Sequence, residues 1–546
     1  MNLRYFKNII PVAAVAFAVA GLSSCTKDLD VTPIDPSTTM APSEPELFTK
    51  CYATMALAGN YGGDGKGAPD SKYVCDIDRL DGGTTGFVRQ LWNANELTTD
   101  EAICAWGDPG IPEFNNNTWG ASHPMLEGFY NRLYTSIAFC NHYLEVCAGI
   151  DAARQAEVRF LRALYYYHLM DCYGNVPFAT ALMTTPPPQI QRAELFAWIE
   201  SELKECIGQM QSPIARTSKD AGYGRADQDA ANLLLARLYL NAEVYTGTAR
   251  WNEAKEYAEK VINGPHKLWN QGTNGWSAYQ MLFMGDNGEN GASVEAVLPL
   301  LCDGLLTTSY GTSMFLMSSA WKDDMDVNGD FGMVGKFWAG NRARRQLVEK
   351  FFPNGDAPAA NIQDMAKAAG DDRALFHGID RTLAVEKPGD FASGYSVGKF
   401  RNTYSTGATP RSTAFPDADY FLMRSAEAYL IAAEADARIN GGTTSTTGTG
   451  YINLLRQRAH APIVGQCNLQ QILDERSREL YFEGFRRTDL IRFGLYGGAN
   501  SGNYLWEWKG GSQGGSSLPA YRNLFAIPTS DIIANPNLQG HQNEGY

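Results

Sequence analysis

Three short segments, 394–398, 326–330 and 63–67, carry residue types that perform chemistry in other proteins. Residues 394–398 read Gly-Tyr-Ser-Val-Gly, the spacing of a nucleophile elbow, which needs a strand before the serine and a helix after it. Residues 399–402 continue without helical periodicity, so we do not expect a nucleophile at Ser396. Residues 326–330 resemble the start of a calcium-binding loop, but Phe337 occupies the twelfth position, where a bidentate glutamate is required.

Other reaction classes receive as little support. The glycine-rich residues 63–67 lie outside a strand–loop–helix context and do not form a dinucleotide fingerprint. The chain has 7 histidines, none in the H-E-x-x-H spacing of zinc proteases. The 60 Asp and Glu residues could still supply the two carboxylates of a glycoside hydrolase, which we keep as the alternative. We predict a binding protein without catalytic residues.

Composition narrows the class of partner. A net charge of −14 argues against nucleic acid, because phosphate binding needs a basic face. The 54 glycines and the 12% aromatic content favour long loops that present stacking side chains. The 10 cysteines include no C-x-x-C spacing, and several lie in helical patterns, so we expect buried thiols rather than a disulfide framework.

The N-terminus carries an export signal. A short basic segment precedes the apolar run 9–20, and small residues then lead to Cys25. The run is too short to span a bilayer. We therefore predict a signal peptide over 1–24, a lipid on Cys25 and a flexible tether over 25–45, which is rich in Pro, Thr and Asp.

The remaining chain, 46–546, is predicted to form one domain, with a helical part over 46–265 and a loop-rich and C-terminal helical part over 266–546. Apolar residues recur at helical spacing in most of it. The predicted helices are 44–57, 126–146, 152–172, 194–210, 226–242, 251–262, 420–439, 451–460 and 469–485. Strand-like runs occur at 294–301 and 395–400, and residues 92–119 are predicted to be irregular.

Two helix pairs resemble tetratricopeptide units. In 226–242 with 251–262, and in 420–439 with 451–460, small and large residues alternate where antiparallel helices would touch. Long Gly-rich loops separate the two pairs. These patterns predict a mostly α fold in which tetratricopeptide-like helix pairs support a loop-rich face with short strands, and binding is expected on those loops.

The C-terminal half resembles a known family. Residues 480–494 read Leu-Tyr-Phe-Glu-Gly-Phe-Arg-Arg-Thr-Asp-Leu-Ile-Arg-Phe-Gly, and the chain ends on Asn-Glu-Gly-Tyr. Together with residues 159–164 and 424–429, these segments resemble the signature of the SusD/RagB family. Further segments, 95–101 and 504–511 among them, resemble its starch-binding member.

The resemblance implies a function and a location. Members of this family are outer-membrane lipoproteins that face the exterior, bind glycans without cleaving them and sit on a SusC-like TonB-dependent transporter. The resemblance to the starch-binding member implies an α-glucan or malto-oligosaccharide as ligand. A family member that binds a different glycan is the second alternative, beside the glycosidase.

The resemblance also implies site residues. Trp106, Tyr310 and Trp338 match an arc of aromatic rings that stack on sugars, and Asp81 and Arg89 match polar contacts. The C–H-rich face of a glucose ring suits an aromatic ring, and the polar groups then bind hydroxyls. The chain departs from the pattern at Cys104, which replaces a second tryptophan, and at residues 107–109, which replace a segment with a ligand-binding asparagine.

No cofactor is required by this interpretation, but a structural calcium ion is implied by the resemblance. Asp286, Asp417 and Asp419 match acidic positions of the starch-binding member. Carboxylate oxygens are the ligands that calcium prefers. Acidic turns on the surface are the alternative explanation.

Overall fold

The structure is a computed structural model that describes residues 43–59, 75–77, 80–326 and 329–546. The chain divides into two units, residues 1–47 and 48–546. Of the first unit only residues 43–47 are described: Ser43 precedes helix α1, Glu44–Ala56, and residues 44–47 begin it. The predicted signal peptide, the lipidation site Cys25 and residues 63–67 lie outside the described residues, as does part of the calcium-like loop.

Helices are the main regular structure of the second unit. In chain order after α1, the α-helices are α2 Gly82–Thr85, α3 Phe87–Trp92, α4 Ile111–Asn116, α5 Pro124–Val146, α6 Ala152–Tyr173, α7 Arg192–Cys206, α8 Gln228–Leu240, α9 Ala242–Thr246, α10 Trp251–Asn263, α11 Ala278–Met281, α12 Ser313–Ser318, α13 Arg345–Val348, α14 Ile362–Ala369, α15 Ser425–Ile439, α16 Thr446–Arg458, α17 Leu469–Leu480, α18 Arg486–Arg492 and α19 Thr529–Ala534. Within the described ranges, none of these helices has the length and apolar content to cross a membrane.

The strands are short and mostly buried. They are β1 Ala102–Cys104, β2 Val176–Pro177, β3 Gln189–Ile190, β4 Ala296–Leu300, β5 Asn341–Ala343, β6 Phe376–His377, β7 Ser396–Val397 and β8 Tyr420–Arg424. They form a four-stranded sheet in the order β1-β5-β7-β6 and two antiparallel pairs, β2 with β3 and β4 with β8.

The long helices pack as consecutive layers. Helix α5 packs on α6, α6 on α7, α8 on α10, α10 on α15 and α15 on α16. More than 150 residues of loops, strands and short helices separate α10 from α15. Helix α15 nevertheless packs on α10 as the next layer of a helical repeat does. The helix α6 illustrates the local signals: Asp151 caps its first turn and Gly174, with φ of 75°, ends it. The prediction of a mostly α fold built on helix pairs is confirmed.

The predicted helix 420–439 is wrong over its first five residues. Residues Tyr420–Arg424 form β8, all of them buried, and pair with β4. A short apolar run that is buried on both faces has no distinct period, so its spacing cannot distinguish strand from helix. The helix proper, α15, begins at Ser425.

The predicted helix 469–485 is also divided. Helix α17 ends at Leu480, Phe482 and Gly484 adopt positive φ of 64° and 87°, and α18 begins at Arg486. The left-handed turn places the Glu483 carboxylate against the buried cations of Lys399 and Arg424. These ion pairs compensate the backbone strain at Phe482. Residues predicted to be irregular, 92–119, contain a π-helical turn at Asn93–Leu97, strand β1 and helix α4.

The π-helical turn holds a buried glutamate, Glu96, against the turn after α17. One carboxylate oxygen accepts the backbone N–H of Gly484 at 2.6 Å and of Phe485 at 3.2 Å. Burial, and then the neighbouring carboxyl of Glu101, raise the pKa of Glu96 well above the usual value. A raised pKa means that the folded state binds the proton more tightly than the unfolded state does.

We expect Glu96→Gln to make the protein more resistant to high pH. In the wild type, the stability contributed by protonated Glu96 is complete below about pH 4.3, the unfolded glutamate pKa. It is lost as pH rises through the folded pKa, whereas a glutamine keeps the same hydrogen bonds uncharged. Melting temperatures measured from about pH 5 to about pH 9 should therefore fall less in the variant. The exposed Glu243→Gln serves as control, and parallel profiles for wild type and Glu96→Gln would contradict this assignment.

Candidate functional site

Strand pairing brings two distant tryptophans together. Strand β1 runs antiparallel to β5, with Cys104 opposite Asn341, so the residues that follow β1 meet the residues that precede β5. The N–H of Ala105 donates to the carbonyl of Gly340 at 2.9 Å, which extends this pairing. Trp106 and Trp338 therefore lie side by side although 232 positions separate them.

The two indoles are fixed to one another. Trp106 Nε1 donates to the backbone carbonyl of Trp338 at 3.0 Å, and the ring centroids are 6.4 Å apart. Gly340 permits this arrangement, because a Cβ on it would lie 2.3 Å from Cε2 of Trp106. The backbone N–H of Trp338 is held in turn by the carbonyl of Ser318, at the end of α12.

A third ring is brought in by a close contact between two backbones. The loop that carries Tyr310 passes over the start of α3, where the N–H of Arg89 donates to the carbonyl of Gly311 at 3.1 Å. A Cβ on Gly311 would lie 3.5 Å from Cα of Gly86, an ordinary van der Waals distance, so the two backbones are in direct contact. The Tyr310 ring lies 5.9 Å from that of Trp338.

These rings line an open cavity of about 520 Å³. Its lining residues are Arg89, Trp106, Asp108, Tyr310, Gly335, Lys336 and Trp338. Four of the five residues predicted to bind the ligand are therefore brought together. The fifth, Asp81, is outside the lining, and its carboxylate accepts the N–H of Thr84 at 2.6 Å as the N-cap of α2. A contact between Asp81 and a ligand stays a prediction.

The predicted site residues do not include three residues around this cavity. Asp108 and Lys336 line it, and each is two positions from one of the tryptophans. Phe415, which is half-buried, continues the row of rings, with its centroid 5.1 Å from that of Tyr310. Proximity in sequence could have identified Asp108 and Lys336, but no local pattern places Phe415 beside Tyr310.

Arg89 joins the cavity to the core behind it. Its guanidinium carbon lies 5.7 Å from the ring centre of Trp106 and 5.2 Å from that of Phe315, which is fully buried. Phe315 packs edge-on against Trp92, and Trp92 packs against Phe482 of the strained turn. A continuous series of rings thus connects the cavity wall with the signature segment.

Cys104, which the resemblance marks as a replaced tryptophan, is not in the cavity wall. It is 1% exposed in β1, and its backbone N–H donates to the side chain of Asn115 at 3.0 Å. Burial raises the pKa of its thiol to about 12, so the thiol is neutral and acts as a small apolar side chain.

The three aspartates predicted to hold calcium line a separate cavity of about 230 Å³. Their carboxylates already accept protein donors. Asp286 accepts from the N–H and hydroxyl of Ser405, Asp417 from Tyr404 and Arg411, and Asp419 from the N–H of Cys302 and the hydroxyl of Tyr223.

The carboxylates of these three aspartates are engaged with protein donors. Burial raises the pKa of Asp419 to about 7, which favours its protonated form. Across the described ranges, no group of three or more His, Cys, Asp or Glu side chains has an arrangement that could hold a metal ion. The hydrogen-bonded arrangement accounts for the three aspartates, and calcium binding there stays a prediction.

The Gly-Tyr-Ser-Val-Gly segment is part of the core. Ser396 lies in β7, is fully buried, and has no helix directly after it. This context differs from a nucleophile elbow, which presents its serine at a strand-to-helix turn. The cavity residues instead offer aromatic faces for apolar C–H surfaces, with charged groups beside them for hydrogen bonding.

Comparison with known proteins defines the class. The family model described as the SusD family matches residues 363–546. The starch-binding protein SusD of Bacteroides thetaiotaomicron is 38% identical over 584 aligned positions, which cover 100% of both chains. A SusD-like protein of Bacteroides ovatus is 24% identical over 85% of this chain and 84% of its own. The chain belongs to the SusD family, and the family prediction is confirmed.

Solved structures agree with this fold. A laminarin-binding SusD-like protein superposes with a TM-score of 0.63 at 20% identity, over 92% of this chain and 99% of its own. Surface glycan-binding protein A of Bacteroides thetaiotaomicron, in complex with laminarihexaose, gives 0.62 at 18% identity, over 92% and 98%. At such low identity these matches establish the SusD-like fold alone.

We expect Gly340→Ala to weaken ligand binding by displacing Trp106. The added methyl group would overlap the indole, which is half-exposed and can move outward, so the hydrogen bond to Trp338 is lost. Affinity should fall about tenfold, equivalent to ~1.4 kcal/mol, with a small change in melting temperature. Gly107→Ala is the matched control, because a Cβ there meets no atom within 4 Å. Equal binding by both variants, with unchanged tryptophan fluorescence, would show that Gly340 does not position the indole.

Proposed function

We propose that the protein captures starch or malto-oligosaccharide at the cell surface and delivers it to a TonB-dependent transporter without cleaving it. The observation that carries this proposal is the row of rings formed by Trp106, Trp338 and Tyr310 along one open cavity, with centroids 6.4 and 5.9 Å apart. Successive glucose units of a curved glucan can stack on such a row. Full-length similarity at 38% identity to a starch-binding protein supports the choice of α-glucan.

The chemistry of the cavity supports binding without hydrolysis. A glycosidase needs two carboxyl groups on opposite sides of the bond that it cleaves, about 5 to 9.5 Å apart. Asp108 is the only carboxylate among the described residues that line the cavity. Stacking and hydroxyl binding need no proton transfer, so this set of side chains suits capture of an intact chain.

Replacing the three aromatic rings of the cavity tests whether they bind an α-glucan. We expect Trp106→Ala, Tyr310→Ala and Trp338→Ala each to lower affinity for maltoheptaose by a few-fold to tenfold, since stacking is worth roughly 1–3 kcal/mol per ring in nucleic-acid complexes and somewhat less on a sugar. The triple variant should not bind detectably. Titration calorimetry, thermal melting and a reducing-end assay measure affinity, folding and hydrolysis.

The control for these ring variants is Tyr257→Ala, which removes a half-buried ring of α10 outside the cavity. Lowered melting with normal affinity would assign a ring to the core. Binding of a β-glucan but of no α-glucan would leave the family assignment and refute the starch assignment. Steady release of reducing ends, abolished by one Asp or Glu substitution, would favour the glycosidase alternative.

We also propose that a lipid on Cys25 holds the chain at the outer membrane, beside its transporter. The small residues before Cys25 and the tether after it support this. We expect Cys25→Ala to move the protein from the membrane fraction to the soluble fraction. Wild-type protein pulled down from detergent-solubilised membranes should bring a β-barrel protein with it. Unchanged fractionation would refute the anchor, and recovery of the chain alone at native expression would refute the partner.

A further inference from the structure

Two charged side chains in the cavity wall have no protein partner. Asp108 and Lys336 line the cavity with the three rings. Among the described residues, neither side chain takes part in an ion pair or a side-chain hydrogen bond, in contrast to Asp303 and Arg411, which form an ion pair at 2.7 Å. Asp108 is exposed and Lys336 is half-buried, so both groups can reach a ligand without breaking an existing bond.

Each of the two residues is close in sequence to one of the cavity tryptophans. Asp108 follows Trp106 by two residues, and Lys336 precedes Trp338 by two residues. A pyranose that stacks on an indole places its C–H bonds against the ring face and its equatorial hydroxyls around the edge. Side chains that flank the stacking ring are therefore placed to meet hydroxyl groups rather than the sugar face.

We propose that Asp108 and Lys336 bind the hydroxyl groups of the stacked glycan, and that Asp108 selects sugars whose hydroxyls are free and uncharged. This inference rests on the proposed function of the same cavity. The Asp108 carboxylate accepts O–H donors, and two vicinal hydroxyls can donate to its two oxygens. The Lys336 ammonium donates up to three N–H bonds to hydroxyl oxygens. Hydrogen bonds to charged groups are stronger than those between neutral groups.

Asp108 and Lys336 should differ in the chemical modifications of the sugar that they tolerate. An O-methyl ether keeps the oxygen that Lys336 binds but removes the proton that Asp108 needs. A sulfated or uronic-acid sugar also places a negative charge near the Asp108 carboxylate. Asp108 should therefore discriminate against methylated and acidic glycans, whereas Lys336 contributes affinity without that discrimination.

The experiment compares charge variants by titration calorimetry with maltoheptaose, with β-cyclodextrin and with its methylated form. We expect Asp108→Ala and Lys336→Met each to lower affinity for maltoheptaose about tenfold, as loss of a hydrogen bond to a charged group does. Asp108→Asn should lose less, because its amide oxygen still accepts. The preference for unmethylated over methylated cyclodextrin should shrink in Asp108→Ala and persist in Lys336→Met.

Two control variants change the same charges elsewhere. Asp356→Asn and Lys367→Met alter exposed residues outside the cavity and should bind as the wild type does. Melting temperatures of all variants should stay close to the wild-type value, because neither cavity charge has a protein partner to lose.

The outcomes separate this inference from the proposed function. If the wild type binds maltoheptaose and the Asp108 and Lys336 variants match their controls, the inference is wrong and the proposed function stands. If the wild type binds only another neutral glycan, the starch proposal fails, and loss of that binding in the two variants would still support the inference. If no glycan binds, both are refuted.

Discussion

A buried network of charges on the signature segment holds the fold together. Arg424 bonds both oxygens of Glu483 and one oxygen of Glu479, and it shares Glu295 and Glu479 with Arg458. All five side chains are at most 4% exposed. Breaking one pair in such a place costs roughly 3–5 kcal/mol, because the remaining charge stays buried. The network therefore requires β8, α16, α17 and the segment before β4 to take one arrangement.

A second set of ion pairs links the signature segment, 480–494, to the strands that lead to the cavity. Arg486, at the start of α18, binds both oxygens of Asp100, and Lys350 binds one of them at 2.8 Å. Burial opposes ionisation, but Arg486 and Lys350 hold the pKa of Asp100 below its usual value. Asp100 lies two residues before β1, which leads directly to Trp106, and Lys350 lies beyond β5, which follows Trp338. The signature is thus tied to both strands that place the tryptophans.

This arrangement explains which features could be predicted from sequence. Long amphipathic helices such as α5 and α6 have a period that fixes them locally, and their predicted bounds differ from the observed ones by no more than two residues. Strand β8 and the turn at Phe482 could not be predicted, because buried partners far along the chain determine both. Three rings were identified only through family resemblance. Trp106 and Trp338 meet through the pairing of β1 with β5, and Tyr310 joins them through a backbone contact with α3. These contacts, like that of Phe415 with Tyr310, join residues far apart in the sequence.

Several strongly shifted pKa values belong to buried ion pairs of the core. Burial lowers the pKa of Lys399 to about 8, while cations that outweigh burial lower the pKa of Glu475 and of Glu434 to about 2. Each of these groups has an ion-pair partner in the core. Burial in a structural ion pair therefore explains the shifted pKa, and a catalytic role is not required to explain it. The cavity has a different requirement. Stacking depends on the spacing of rings, and loops alone would hold that spacing poorly. Charges buried behind the rings keep the loops in register, while the cavity charges at Asp108 and Lys336 stay available for hydroxyl groups.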